Sequence, residues 1–431
     1  MCKGAEGLAM NDLFIEDVRL PDGRRAGVLV TGGRIESIGP DLARPAEVPV
    51  LPGKGRLLLP GAIDAHVHFR QPGAEYKETL LSGAASAVKG GVTTCMDMPN
   101  TSPPTTTLAA LQEKIRLAQD SQANLYFNFG AAPDNLDQVP AALETGRVKA
   151  LKIFMGPSTG QGGLAPEFME RHISQAARLG LPVMVHAEDI DDLENEQDRW
   201  PHDVHHHHKL RPAGAELKAV AQALELAASH PVKLIICHVT QAEVCRMVEK
   251  SGIGDRVRVE ASPHHLFLST GSIKNPRENR FRVNPPLREE ERRSALLAEL
   301  NTGINTLGSD HAPHTLEEKE QEYDRAPSGL PGVEYLLPLA LDCCSKGLIS
   351  IQRLIELTSL NAAEFLGLNK GRLEAGYDAD LVLVDPEHVW NIGAGDDRVA
   401  SKCGWTPYEG FSITGRPEVT IVSGRIVYSI D

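Results

Sequence analysis

The sequence predicts an α/β fold, a (β/α)8 barrel of the TIM type carrying a small β-sandwich domain built from both ends of the chain. Three observations predict it. Between residues 56 and 310, eight short apolar, β-rich runs alternate with longer stretches whose apolar residues recur at three- and four-residue spacing. The two ends read differently, alternating apolar and polar residues around Asp-Gly, Gly-Gly and Ser-Gly turns as hairpins do. No Gly-rich phosphate fingerprint follows an early strand, which argues against the runner-up, a doubly wound open sheet.

Taken in order, residues 1–56 supply the first part of the small domain through the hairpin pattern of residues 13–38. The barrel, residues 57–369, opens with LLLPGAIDAHVHF at 57–69, then VTTCMDM from 92, NLYFNFG from 124 and VKALKIF from 148. It continues with LPVMVH from 181, VKLIICHV from 232, RVRVEAS from 256 and INTLGSD from 304. Between them TLAALQEKIRLAQ and GAELKAVAQALELAASH place apolar residues on one side, as helices packed on a sheet do. Residues 370–431 complete the small domain with ADLVLVD and EVTIVSGRIVYS. The echo between GRIESI and GRIVYS is too short to count as a repeat.

Composition bounds the function. Among 431 residues, 58 acids outweigh 44 bases for a formal charge of -14, which argues against a phosphate backbone as partner. No window approaches the roughly 18 uninterrupted apolar residues of a membrane helix, and MCKGAEGLAMNDLF lacks the apolar core of a secretory signal. A soluble protein with no membrane partner is expected. Seven scattered cysteines without CxxC spacing fit reduced thiols in the cytoplasm. The unusual count is the 16 histidines.

On an extended strand, residues two apart face the same way, so Asp64, His66 and His68 of AIDAHVHF share one face. Two such imidazoles can chelate one metal; alone, the pair reads equally well as two surface histidines near a strand end. The other strand ends favour the metal. Lys152 closes VKALKIF, His186 closes LPVMVH, His238 closes LIICHV and Asp310 closes INTLGSD. In a barrel these C-terminal ends converge on one rim, where active sites are built. The set offers nitrogen and oxygen ligands suited to zinc, and six positions exceed the need of one tetrahedral ion, which implies two metals about 3.5 to 4 Å apart.

Lys152 looks misplaced there, since an ammonium beside two dications is repelled and has no lone pair to offer. A deprotonated lysine, however, reacts with carbon dioxide to give a carbamate, which carries one negative charge and two oxygens able to bridge two ions. Two dications then face the carbamate, Asp310 and a bridging hydroxide, with the histidines neutral. The plain alternative is a solvent-facing lysine at a strand end; the apolar setting of KALKIF favours the carbamate.

PGAIDAHVHFRQPG, GGVTTCMDMPNT, LKIFMGPSTG, VMVHAED, CHVT, SPHHLF, RVNPPLR and GSDHAPHT occur in an order and spacing that resemble the cyclic amidohydrolases, most closely the dihydroorotase family. The likeness runs from Leu59 to SKCGWTPYEGF at 401–411. It implies a buried α zinc held by His66, His68 and Asp310, a β zinc held by His186 and His238, and a carboxylated Lys152 and a hydroxide bridging the two. The implied reaction is the reversible hydrolysis of the cyclic amide of (S)-dihydroorotate to N-carbamoyl-L-aspartate, with ring closure the useful direction in de novo pyrimidine synthesis. Asp310 takes a proton from the attacking water and delivers it to the leaving ring nitrogen. The product has one more carboxylate than the ring, so closure consumes a proton and lower pH favours it. The family also implies a homodimer.

For the ring carboxylate, Arg70 lies two residues beyond His68 on the same strand face and can grip it bidentately. Asn100 and His314 resemble the family's other carboxylate contacts, and His68 also borders the substrate. Asn284, Ser328 and Gly329 match positions that hold the ring's amide edges; relatives often have Phe-Gly where Ser328-Gly329 stands, so a backbone contact is implied. Hydantoinases and allantoinases, which act on rings without that carboxylate, resemble this chain less at HFRQPG and MPNT and form the alternative. A non-catalytic scaffold is the third reading, one that loss of a metal ligand would favour; all six are present.

Other features promise less. The run His205 to His208, with His202, sits among Pro and Asp and reads as a solvent loop. His264 and His265 either line the cleft or pack. GPSTGQGG lacks the Lys-Ser/Thr of a P-loop and suggests a flap, with Ser158 or Thr159 touching the ligand. Cys95 and Cys237, inside apolar strands, read as buried small hydrophobes.

Overall fold

The computed structural model describes residues 11–158, 162–275, 278–393 and 398–430. The N-terminal segment forms β1 (Leu13–Arg19), β2 (Arg25–Thr31), β3 (Arg34–Gly39), β4 (Val50–Pro52) and β5 (Leu57–Pro60). Then come β6 (Ala62–Val67), β7 (Val92–Asp97), β8 (Asn124–Gly130) and β9 (Val148–Phe154), followed by β10 (Val183–His186), β11 (Leu234–Ile236), β12 (Val257–Ala261) and β13 (Thr306–Leu307). The C-terminal segment adds β14 (Leu381–Asn391), β15 (Ser412–Val422) and β16 (Arg425–Ser429).

Strands β6 to β13 lie in sequence order, each hydrogen-bonded in parallel to the next, the arrangement expected of a (β/α)8 barrel. A parallel bridge from Val67 to His311 and the His68 amide on the His311 carbonyl (2.7 Å) join the last strand segment back to the first. Asp64 adds to that seam, its Oδ1 accepting from the amides of Ser309 and His66 at 3.1 Å each. This closure excludes the open doubly wound sheet. The helical stretches form as their periodicity requires: Ala213–Ser229 buries Ala215, Ala219, Ala223 and Ala227, one row at four-residue spacing. Helix Leu108–Leu117 starts where the Thr107 hydroxyl accepts from the Ala110 amide.

The terminal segments form one eight-stranded sheet, ordered β16-β15-β14-β5-β1-β2-β3 with β4 beside β1. Its inner face gathers Ile15, Val28, Ile35, Leu58, Leu381 and Ile421 into a single core, and an isolated bridge between Arg34 and Asp378 brings β3 back toward the far side. One prediction changes here. The run at 57–69, read as one strand, divides at Gly61: Leu57 to Pro60 pair with β14 in the terminal sheet, and the barrel begins at Ala62. Pro60 has no N–H to carry a ladder onward. At Gly61 a Cβ would lie 2.2 Å from Thr93 Oγ1, so only glycine lets the chain cross there. Among the described residues no helix is long and apolar enough to cross a membrane. The six described cysteines are free thiols, and Cys2 lies outside the described residues.

Under the rim, Asp97 at the end of β7 is fully buried and ties two parts together. Its Oδ1 accepts the Phe69 amide (2.7 Å), fixing the backbone between His68 and Arg70, and its Oδ2 pairs with Lys114 Nζ at 2.5 Å. Replacing Lys114 with Met strands the carboxylate without a counter-charge and is expected to cost about 3 kcal/mol of stability. A lowered urea midpoint at unchanged slope would show it, and an unchanged midpoint would remove the pair from the account.

Candidate active site

The predicted residues meet at one rim. His66 lies in β6 and His68 one residue past it; His186 ends β10, and β9 runs two residues beyond Lys152. His238 and Asp310 stand beyond the shortened β11 and β13, on backbone with φ of 38° and 47°, and Arg70 has φ 63°. These are three of only six described non-glycine residues with positive φ. Such a conformation costs free energy and persists where the fold holds it, commonly at sites that do chemistry.

His66 Nε2 and His68 Nε2 both approach Asp310 Oδ1, at 3.3 and 3.1 Å. The opposite nitrogens are engaged from behind: His68 Nδ1 is 2.6 Å from Asn100 Oδ1 and His66 Nδ1 is 2.7 Å from Glu260 Oε1. With protons on the Nδ1 atoms, two imidazole lone pairs and a carboxylate face a common point, the donor set of a cation site. These three groups are close enough to hold one metal ion together.

The second half repeats the pattern. His186 Nε2 donates to Glu188 Oε2 (2.8 Å). Burial alone would raise the Glu188 carboxyl, but Arg211 and His186 outweigh it and hold it well below the usual carboxylate range. The His186 proton therefore stays on Nε2, and Nδ1 turns its lone pair toward His238 Nε2, 3.0 Å away. His238 Nδ1 is buried with no hydrogen-bond partner. Burial depresses the pKa of all four histidines, strongly for His66, His68 and His238, leaving them neutral as ligation requires. Lys152 is 1% exposed, its Nζ 3.3 Å from Cys237 Sγ and 5.1 Å from the Phe154 ring centre. No carboxylate among the described residues lies within 4.0 Å of it. The histidine and carboxylate donors suit a metal ion.

In front of the cluster is a pocket of about 360 Å³, its mouth included, lined by the four histidines, Lys152 and Asp310 together with Arg70, Asn100, Ser158, Asn284, Ser328 and Gly329. Arg70 Nε donates to the Pro313 carbonyl (3.1 Å), and Nη2 lies 3.0 Å from His314 Nε2. Burial draws the Arg70 pKa down to about 10. His314 does not line the pocket; it stands behind Arg70 and orients it. Gly329 has φ 145° and a Cβ there would lie 2.6 Å from the Ala312 carbonyl oxygen, so the loop carrying Ser328 comes close as backbone. Thr159 lies outside the described residues.

Several residues escaped the sequence reading. Glu260 sits behind His66, and burial pushes its carboxyl up to about 8; a lone acid inside the apolar run RVRVEAS is the signal that points to it. Glu188 follows His186 by two residues, just past the end of β10. Asp64 was seen on the histidine face, but it serves the barrel seam, and burial raises it to about 7. Cys237 is buried as expected, against Lys152. His264 and His265 are buried side by side, their ring centres 4.2 Å apart, and neither lines the pocket. The solvent-loop reading of His205 to His208 fails at His207, which is 4% exposed because it finds partners on two distant segments.

Comparison with known proteins gives the same class. Residues 57–427 match the amidohydrolase family. A dihydroorotase of Methanosarcina acetivorans is 37% identical, covering 98% of this chain and 93% of its own length, and one of Halobacterium salinarum is 40% identical, covering 97% and 96%. Among solved structures, L-hydantoinase (dihydropyrimidinase) from Arthrobacter aurescens superposes with a TM-score of 0.90 at 28% identity, over 97% of this chain and 96% of that one. Dihydropyrimidinase from Brevibacillus agri gives a TM-score of 0.88 at 26% identity, over 97% and 95%. The chain belongs to the amidohydrolase family. Its sequence relatives place it, more particularly, among the dihydroorotases.

Proposed function

We propose that this protein is a metal-dependent hydrolase of a cyclic amide, converting (S)-dihydroorotate and N-carbamoyl-L-aspartate into one another, with ring closure the direction used in pyrimidine synthesis. The observation that carries the substrate is Arg70. The residue is 7% exposed, lines the pocket and has no carboxylate within 4.0 Å among the described residues. A buried cation without a counter-ion is costly, and a ligand carboxylate supplies one with matching two-pronged geometry. Rings without a carboxylate, the substrates of the hydantoinase alternative that the structural neighbours suggest, leave it unmatched.

Two zinc ions are proposed, one held by His66, His68 and Asp310, the other by His186 and His238, with Lys152 bridging as its carbamate. When bound, they would bring the pKa of a water near neutral and polarise the ring carbonyl. The protein's part is positional. Arg70, with Asn100 beside it, holds the ring carboxylate; Asn284 and the Ser328–Gly329 backbone hold the ring edges. Asp310 accepts the proton of the attacking water as the C–O bond forms and returns it to the ring nitrogen as the C–N bond breaks. Residence in the cytoplasm rests on the scattered cysteines, and a homodimeric state on the family resemblance.

The deciding experiment measures turnover of purified protein on L-dihydroorotate beside hydantoin and allantoin, with metal content taken on the same sample. Dihydroorotate hydrolysis with about two zinc ions per chain supports the proposal; turnover of hydantoin or allantoin alone replaces it, and neither metal nor turnover leaves a scaffold. Lys152→Ala is expected to lose at least one metal per chain and to regain part of its activity with short carboxylic acids, which replace the carbamate oxygens. Full metal content and full activity without them would end the carbamate assignment.

A further inference from the structure

Three segments of the rim meet at one buried imidazole outside the metal cluster. His207 begins the short helix His207–Leu210. Its Nε2 lies 3.0 Å from the Val283 carbonyl oxygen and 2.9 Å from Asn284 Oδ1, and its Nδ1 lies 2.6 Å from the Tyr323 hydroxyl. We propose that His207, fixed in one tautomer by the Val283 carbonyl and anchored by Tyr323, is a positioning residue that turns the Asn284 amide so that its NH2 group faces the pocket and donates to a carbonyl oxygen of the substrate ring. This deepens the proposed reaction and rests on it for the identity of the ring.

The tautomer follows from the partners. A backbone carbonyl only accepts, so Nε2 must carry a hydrogen toward Val283. A neutral imidazole has one N–H, which leaves Nδ1 as the acceptor for the Tyr323 hydroxyl. Burial first, then Arg282 and Arg211, keep His207 neutral. The same Nε2 hydrogen is shared with the Asn284 side chain, and an atom that receives it must be the carbonyl Oδ1. Nδ2 is then on the opposite side, where among the described residues it makes no hydrogen bond, and Asn284 lines the pocket. Flipping the amide would set two donors against each other at 2.9 Å.

Tyr323 is well placed for this task because it is anchored in the segment that also delivers Ser328 and Gly329. The Arg282 guanidinium lies 4.0 Å from its ring centre and donates to the carbonyls of Tyr323 and Ala326. Lys319, fully buried, donates to the carbonyls of Arg282 (2.9 Å), Pro327 (2.8 Å) and Gly329 (3.1 Å). One network thus sets both edges of the ring site.

The first measurement is the imidazole nitrogen NMR spectrum of histidine-labelled protein, with His207 assigned by loss of its signals in His207→Gln. A neutral Nε2–H form is expected in the wild type, and an Nδ1–H form there overturns the proposal. The second is a double-mutant cycle. Tyr323→Phe is expected to raise KM for dihydroorotate roughly fivefold with kcat nearly unchanged, and His207→Gln, which keeps a donor at the Nε2 position, less. In an Asn284→Ala background the Tyr323→Phe effect should vanish, whereas an undiminished effect means that Tyr323 does not act through Asn284 and overturns the proposal. If wild-type protein fails to turn over dihydroorotate, the proposed reaction falls, and the tautomer alone decides which way Asn284 points.

Discussion

Asp310→Asn is expected to abolish turnover in both directions, lowering kcat by roughly 10³- to 10⁴-fold. The amide has the size of the carboxylate, and asparagine tolerates the positive φ of this position as readily as aspartate does, so the fold should be undisturbed. What is lost is a basic oxygen 3.1 Å from His68 Nε2 and 3.3 Å from His66 Nε2, the proposed acceptor of the attacking water's proton. Hydrolysis and ring closure pass through the same transition state, so both should fall by the same factor, a symmetry that a ground-state binding defect would not produce. The other rim acids are badly placed to substitute: Glu260 is behind His66 and Glu188 behind His186, each already hydrogen-bonded to a ring nitrogen. Metal content should be measured on the same sample, because Asp310 is also a proposed ligand. A variant within tenfold of wild type would require another base.

The cluster of His66, His68, Lys152, His186, His238 and Asp310 was legible in the sequence because its members sit at or just past strand ends, where a period of two and the barrel rule together fix direction and position. The carboxylates behind them were not. Glu260 and Glu188 matter only through contact with His66 and His186, and a single acid in an apolar run is equally compatible with an edge position. His207 shows the opposite error. A histidine run among Pro and Asp has the composition of a solvated loop, and nothing local reveals that one member reaches Tyr323, 116 residues away. The division of the first run at Gly61 was hidden for a related reason. LLLP and AIDAHV are both apolar, and only the strand each pairs with, β14 or β7, separates them.

Arg70→Met should raise KM for dihydroorotate and for N-carbamoyl-aspartate by roughly 10²- to 10³-fold, while kcat at saturation and metal content change little. Arg70 is buried and lines the pocket, and the contacts of Nε with Pro313 and of Nη2 with His314 leave Nη1 and a second Nη2 hydrogen for a carboxylate. The protein therefore carries a buried charge that Asp310, Asp97 and Glu318 offset only from beyond contact, a burden that a ligand carboxylate relieves. Two further consequences separate this reading from a merely structural one. Removing a buried cation that has no counter-ion should leave the melting temperature unchanged or higher, as binding sites built against stability do. Any activity on hydantoin or dihydrouracil, rings that bring no carboxylate to Arg70, should persist or improve, narrowing the preference between the two substrate types from both sides. If KM for dihydroorotate stays put, Arg70 does not hold the carboxylate and the argument for dihydroorotate over its uncharged analogues loses its main support. If KM rises but the melting temperature falls with it, the side chain is holding the rim together, and the carboxylate must be sought at Asn100.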